Sequence, residues 1–506
     1  VMKKILILVM FVLVSGLAMG QIVHHEISSS SGLRIASMTS VSDFSNNYDS
    51  YVVGTTYDKK VFVGQLDNNT PIGLNSSTFT MFQLPDSHSS YFFNGAFVDM
   101  DGNIVAYGYC HNSIYSNIGL IVKCNISNNV ATSMEYSISL ISNSVVDDGC
   151  WGKLTSGRTV YAFVINKHYF VRVPSFQSVG APIVKKFTDT NEAMSVSWDV
   201  VNSKFVLSGS YGSNCFVGTF PNSNSIANGI RTFSIYTMPS TLTPSEYTGK
   251  HVLSGNLQYS DGVAYLVQDF RDLSTSTDGV WVLKVNYMNN SVVGSMGYKL
   301  DSSKVSVFDV AHNYDHLFVL GHHIGNHNES SFSKRFLMQI NLYDSTDVLT
   351  CHLKTIPQVN YNRNTSGSYL SRIMFNQYTF FVQSVGAFGD NGYLSESYML
   401  EDENCDSLIN NELYAINYTA SIGSPYNTSS LMSVWGENNM SSTSVFAVTT
   451  ETFTMSEDCS SGLERNYESQ IENTKERLTN KLQLAEKNKQ VLSVGEIDVD
   501  DNNTFV

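Results

Sequence analysis

The sequence predicts an all-β chain made of seven repeated units. Three observations carry that expectation. Short runs rich in Val, Ile, Phe and Tyr recur from about residue 45 to 455, turn residues bound them, and no helical periodicity separates them. The composition agrees: of 506 residues 12% are aromatic and only 15% charged, with 9 prolines and a net charge of -15. A disordered chain is poor in aromatics and rich in charge, and a nucleic-acid binder carries a basic footprint. Neither description fits. The chain stays polar through Ser, Thr, Asn and Tyr.

The N-terminus reads as a secretory signal. Val1-Met2-Lys3-Lys4 is basic, Ile5 to Val14 is apolar, and Ser15-Gly16-Leu17-Ala18-Met19-Gly20 supplies small residues for a cut before Gln21. A membrane-spanning helix needs about 20 apolar residues, and neither this run nor any later one reaches that length. The expected layout is a signal peptide over residues 1–20, a β domain over 21–458, a helical extension over 459–497 and a flexible tail over 498–506. The expected location is secreted, extracellular or at the cell surface, with no transmembrane anchor.

Within the β domain the runs come in pairs. Tyr51 to Tyr57 precedes Lys60 to Leu66, and Asn103 to Gly108 precedes Gly119 to Lys123. Val160 to Val164, Phe205 to Gly209, Val263 to Val267, Leu317 to Gly321 and Thr379 to Gln383 open the other five pairs. The first members start 45 to 62 residues apart. Four Asp-Gly steps, Asp101-Gly102, Asp148-Gly149, Asp261-Gly262 and Asp278-Gly279, are expected as tight turns that launch strands. A period near 50 residues made of short antiparallel strands is the mark of blades arranged around a channel. On period and turns the chain resembles the broad seven-bladed β-propeller superfamily, over roughly residues 22 to 455. The expected fold is a seven-bladed β-propeller with a C-terminal helical extension; two stacked β-sandwiches or an eight-bladed ring are the alternatives. Kelch, WD and Asp-box signatures are absent.

The C-terminal segment differs. From Leu463 to Val491 good helix formers dominate, proline is missing, and six basic residues of the chain's 30 are concentrated there. Leu463, Tyr467, Ile471, Leu478, Leu482 and Ala485 approximate one apolar face.

In an oxidising compartment the seven cysteines, Cys110, Cys124, Cys150, Cys215, Cys351, Cys405 and Cys459, are expected to form up to three disulfides with one left over. No CxxC occurs, so zinc and thiol-exchange roles are not indicated. Ten Asn-x-Ser/Thr sequons mark candidate glycosylation sites: Asn68, Asn75, Asn125, Asn289, Asn328, Asn364, Asn417, Asn427, Asn439 and Asn502.

Candidate chemistry is thin. His312, His316, His322, His323 and His327 cluster in sequence, as metal ligands or proton carriers do, yet a strand separates them and turn histidines explain them as well. Asp147, Asp148, Asp199, Asp269, Asp272 and Asp309 are carboxylates at unit boundaries, the places from which a propeller glycosidase would draw its acid and base. Asp43 and Asp49 are uninformative. Asp99-Met100-Asp101-Gly102-Asn103 has calcium-like oxygen spacing without the distal glutamate, so a hairpin turn is the better reading. Trp151, Trp198, Trp281 and Trp435 are dispersed and read as packing residues. Serine-nucleophile and phosphate-loop motifs are missing. No cofactor or metal is expected.

The sequence therefore points to a non-enzymatic, secreted or surface glycoprotein with a structural or adhesive role, possessing routes to filament or lattice assembly. Its expected partners are copies of itself, another extracellular protein or a glycan; nucleic acid is not expected. The alternative is a secreted glycan-acting hydrolase with carboxylates at the channel.

Overall fold

The computed structural model describes residues 23–457 with interruptions, the longest at 67–76, 222–231, 353–371, 398–411 and 415–431. Beyond residue 348 only backbone pairing is described. All described strands belong to one compact unit, Gly20–Asn68 with Ile72–Ser460. The expected signal peptide and C-terminal helix lie outside the described residues.

Every described element is β. The first group is β1 (Val23–Ser29), β2 (Ile35–Asp43), β3 (Asp49–Thr56), β4 (Lys60–Leu66) and β5 (Ser77–Gln83). Next come β6 (Ser90–Val98), β7 (Ile104–Ser113), β8 (Ser116–Ser127) and β9 (Val130–Ser142), then β10 (Val146–Lys153), β11 (Thr159–Ile165), β12 (Tyr169–Val173) and β13 (Ile183–Phe187). A fourth group is β14 (Asn191–Asp199), β15 (Lys204–Tyr211), β16 (Asn214–Pro221) and β17 (Thr232–Tyr236). The fifth is β18 (Leu242–Thr243), β19 (Gly249–Leu253), β20 (Val263–Asp272), β21 (Thr277–Asn286) and β22 (Ser291–Lys299). The sixth is β23 (Lys304–His312), β24 (His316–Ile324), β25 (Ser333–Asn341) and β26 (Val348–His352). Finally come β27 (Arg372–Phe375), β28 (Phe380–Val385) and β29 (Gly392–Ser397), followed by the short β30 (Glu412–Tyr414), β31 (Met432–Val434) and β32 (Ser441–Ser444) and the longer β33 (Val448–Glu457).

These strands form six antiparallel sheets. Four or more strands follow one another as a meander in most of them. The nine-stranded sheet joins two meanders, β2 to β5 and β27 to β29, through β33 and β1 in the order β2-β3-β4-β5-β33-β1-β29-β28-β27. The N-terminal strand β1 thus ladders against β29 from the far end of the repeat region. The architecture is all-β and repetitive, compatible with a propeller-like fold.

Burial on both faces explains why these strands read as continuous apolar runs. On β7, Ile104, Ala106 and Cys110 enter a core shared with the β2–β5 meander, while Val105 and Tyr107 enter another shared with the β10–β13 meander. Further cores lie between the β10 and β14 meanders, the β14 and β20 meanders, and the β20 and β23 meanders. Each fully buried Val, Leu, Ile or Phe contributes about 1.5–3 kcal/mol, so sheet-on-sheet packing is the main source of stability.

The first strand of each meander has its own rule. In sequence the second strand is the apolar one, and the first lies 12 to 14 residues ahead of it in six meanders. Against its partner, β2 carries one extra residue at Ala36, β6 at Asn94, β10 at Asp147, β14 at Met194 and β23 at Phe308. Such bulges twist the strand and re-aim the side chains beside them. First strands also pack on one another: β2 on β6, β6 on β10, β10 on β14, β14 on β19, β19 on β23, β23 on β27, and β27 on β2.

Two of the four Asp-Gly steps are turns. Gly102 (φ 73°) and Gly262 (φ 73°) occupy the left-handed region that a glycine tolerates. The other two are corrected: Gly149 lies inside β10 opposite Phe163, and Gly279 inside β21 opposite Phe270. There a missing side chain makes room for an aromatic ring.

Glycine also sets how closely neighbouring strands of a meander pack. A Cβ on Gly108 would lie 2.0 Å from the Phe92 carbonyl oxygen, whereas one on Gly294 would meet nothing nearer than Lys284 Cβ at 4.0 Å. Gly108→Ala is expected to destabilise the protein by about 2 kcal/mol or more through overpacking against backbone. Gly294→Ala should change stability by less than about 1 kcal/mol, on the favourable side. Urea unfolding of the two variants checks both.

Candidate functional site

The sharpest concentration of polar chemistry lies where β10, β14 and β19 meet. The β10 bulge places two carboxylates in succession. Asp148 Oδ1 accepts from Tyr107 Oη at 2.9 Å, and Oδ2 accepts from the Val196 amide at 3.0 Å. Lys250 Nζ lies 3.7 Å from the same Oδ2. One carboxylate therefore links four sheets. Asp147 Oδ2 accepts from the Lys167 amide at 2.7 Å. Burial pushes the Asp147 carboxyl up to about 6, with Asp148 adding to the rise and Lys167 and Lys250 opposing it.

Beside them, His251 Nδ1 and Ser208 Oγ are 2.7 Å apart, both residues buried. Burial lowers the imidazole to about 4, which leaves it neutral at physiological pH. The cluster can hold a proton on Asp147 below about pH 6, and it sets the Lys250 ammonium against Asp148.

Similar bonds tie the other first strands. The Phe93 amide donates to Ser37 Oγ at 2.7 Å, and Thr55 Oγ1 donates to the Tyr91 carbonyl at 2.7 Å. Asn94 Nδ2 donates to the Val146 carbonyl at 2.8 Å, and His312 Nε2 donates to the Leu253 carbonyl. At the turns, Tyr161 Oη donates to Asp99 Oδ2 at 2.9 Å and Tyr287 Oη to Asp199 Oδ2 at 2.6 Å, each tyrosine from a later meander.

The other candidates have individual explanations. Asp99 caps its own hairpin, accepting from the Asp101 and Asn103 amides at 2.9 Å, as the turn reading expects. Asp269 and Asp272 are buried on β20. Burial opposes ionisation of Asp272, but hydrogen bonds from Ser274 and Lys299 outweigh it and bring its carboxyl down to about 2. Asp309 flanks the β23 bulge. The histidines do not converge: His316 opens β24, while His322 and His323 lie six and seven residues along it, about 20 Å away at strand spacing. His327 lies outside the described residues. Among the described residues no group of His, Cys, Asp and Glu is arranged to hold a metal ion. Trp281 is buried with Nε1 on Ser295 Oγ at 2.8 Å, and the ring of Trp198 packs at a tilt on Phe205, both as packing residues; Trp435 lies outside the described residues.

The disulfide expectation is overturned for the described cysteines. Cys110, Cys124, Cys150 and Cys215 are free thiols. Cys110 and Cys124 sit on neighbouring strands, yet Cys110 pairs with Ile118 and Cys124 with Ile104, so they lie at opposite ends of the ladder. Burial raises the thiols of Cys110, Cys124 and Cys215 to about 12 and that of Cys150 well above its ordinary range. They serve as small core residues. The Cys351 side chain, Cys405 and Cys459 lie outside what is described. Of the sequons, only Asn125 and Asn289 are described; Asn68, Asn75, Asn328, Asn364, Asn417, Asn427, Asn439 and Asn502 are not.

No family model and no curated protein matches the chain. Among solved structures it is similar to a phage phi92 endosialidase, at 11% identity and a TM-score of 0.35 over 83% of this chain and 74% of that one. That loose likeness carries no conclusion about activity. No helix among the described residues is long and apolar enough to cross a membrane.

Sequence reasoning missed Lys250, His251 and Ser208. The strand Gly249–Leu253 has two polar residues in five and no alternation. Its signal was position: it precedes β20 by the same interval as the other first strands.

Because the Asp147 carboxyl binds its proton more tightly in the native state, its contribution to stability falls as pH rises from about 4 to 6. Above about 6 the buried carboxylate is a full cost. Asp147→Asn should therefore stabilise the protein at neutral pH, with the gain vanishing below about pH 4. Urea midpoints across that range test the sign.

Proposed function

We propose that the meanders close into a seven-bladed propeller, with β1 completing the sheet of β27–β29, and that the chain is a secreted or surface-held, non-enzymatic binding or structural module. The contact circuit of first strands, which returns from β27 to β2, supports the closed ring. The observation that carries the non-enzymatic reading is Asp148. Both of its oxygens are committed to other sheets, through Tyr107, Val196 and Lys250. Asp99 and Asp199 are likewise taken up by tyrosines. The best-placed carboxylates thus do structural work. A surface low in charge and rich in Tyr, Ser and Asn suits a hydrogen-bonding contact with a glycan, another extracellular protein or a second copy.

One observation favours the hydrolase alternative. Asp147 keeps its proton to about pH 6, as a general acid does.

Full-length protein passed over immobilised oligosaccharides and extracellular proteins separates the two readings. The expected result is binding with every oligosaccharide recovered intact, or self-association in light scattering that is lost on removing residues 463–506. Sugar products that disappear in Asp147→Asn would instead establish the hydrolase.

A further inference from the structure

We propose that Asn289 is an N-glycan acceptor, presented at the tip of the turn between β21 and β22. The inference rests on the secretory reading above.

The sequence Asn289-Asn290-Ser291 has the acceptor pattern. The structure adds the geometry. Asn289 is exposed, and its Oδ1 accepts from the Ser291 amide at 3.1 Å and from Ser291 Oγ at 2.6 Å. The hydroxyl two residues on is already held against the acceptor amide. Both donors draw charge toward Oδ1, and no hydrogen bond of Nδ2 is found among the described residues. The turn is fixed from below: Asn286 Oδ1 accepts from the Met288 and Asn289 amides at 3.0 and 3.1 Å. Asn290 adopts φ 59°, so the chain reverses directly after the acceptor and pushes it outward.

The second described sequon lacks this form. Asn125 is laddered to Ser133, and Ser127 to Val130, so the backbone of this sequon runs extended in the β8–β9 pair instead of turning. The sequence neighbour of Asn289, Met288, 43% exposed, is one of the few large apolar side chains left in solvent among the described residues.

The donor is an oligosaccharide carried on a lipid pyrophosphate. Nδ2 forms a bond to C1 of the first sugar as the bond from C1 to the pyrophosphate oxygen breaks. The lipid pyrophosphate leaves, and the amide gives up one proton.

The test expresses the intact chain in a eukaryotic secretory host, once under its own N-terminal segment and once under a foreign leader. Secreted protein is deglycosylated by amidase in heavy-oxygen water and mapped by peptide mass spectrometry. The expected result is heavy-oxygen aspartate at 289, abolished by Asn289→Gln and by Ser291→Ala and retained in Ser291→Thr. An unlabelled Asn289 in folded protein secreted under the foreign leader overturns the site. Labelling under the foreign leader alone supports the site and overturns only the secretory reading.

Discussion

Everything in this fold depends on the join between first strands. Each meander presents apolar faces that any neighbour of similar shape could cover. The first strands supply the directional part of the contact. Bulges at Asn94, and beside Ser37 and Asp148, re-aim side chains so that they reach the backbone of the neighbouring first strand. Each such hydrogen bond contributes only about 0.5–1.5 kcal/mol net, but an unmade one leaves a buried donor or acceptor at greater cost. Apolar burial holds the sheets together, and the bulged strands decide which sheets meet and in what register.

The same repetition creates a hazard, because every meander ends in an outer edge strand able to pair with another chain. The C-terminal strands cover several of these edges. After β29 the chain places β30 on β22, β31 on β13, β32 on β9 and β33 on β5, taking the meanders in reverse order. β33 then pairs with β1, so both ends of the described chain meet in one sheet.

Legibility in the sequence followed burial. The apolar runs starting near 51, 103, 160, 205, 263, 317 and 379 are the second strands of the seven meanders, and the first six, whose side chains are described, are buried on both faces. First strands were illegible because a bulge breaks the two-residue alternation, and polar residues such as Asp147, Asp148, Lys250 and His251 occupy positions that neighbours satisfy only in three dimensions. The Asp-Gly steps show the same limit: Gly102 and Gly149 look alike in sequence, yet one sits in a turn and the other under the ring of Phe163. Asp147 and Asp148 were visible as candidates, but Lys250 and His251 come from more than 100 positions away. The cysteines misled because their number suggested pairing, whereas strand register keeps Cys110 and Cys124 apart.

The central proposal is that the first strands form one continuous, mutually clasped circuit that β1 helps to complete. Native-state hydrogen exchange under rising denaturant tests it most directly. The account predicts that the Phe93 and Val196 amides, bonded to Ser37 and Asp148, and the Ile27 amide in β1 all exchange only with global unfolding, along a common denaturant slope. Release of Ile27 and the β27–β29 amides well ahead of Phe93 and Val196 would contradict it, showing an open row of sheets that frays from its ends.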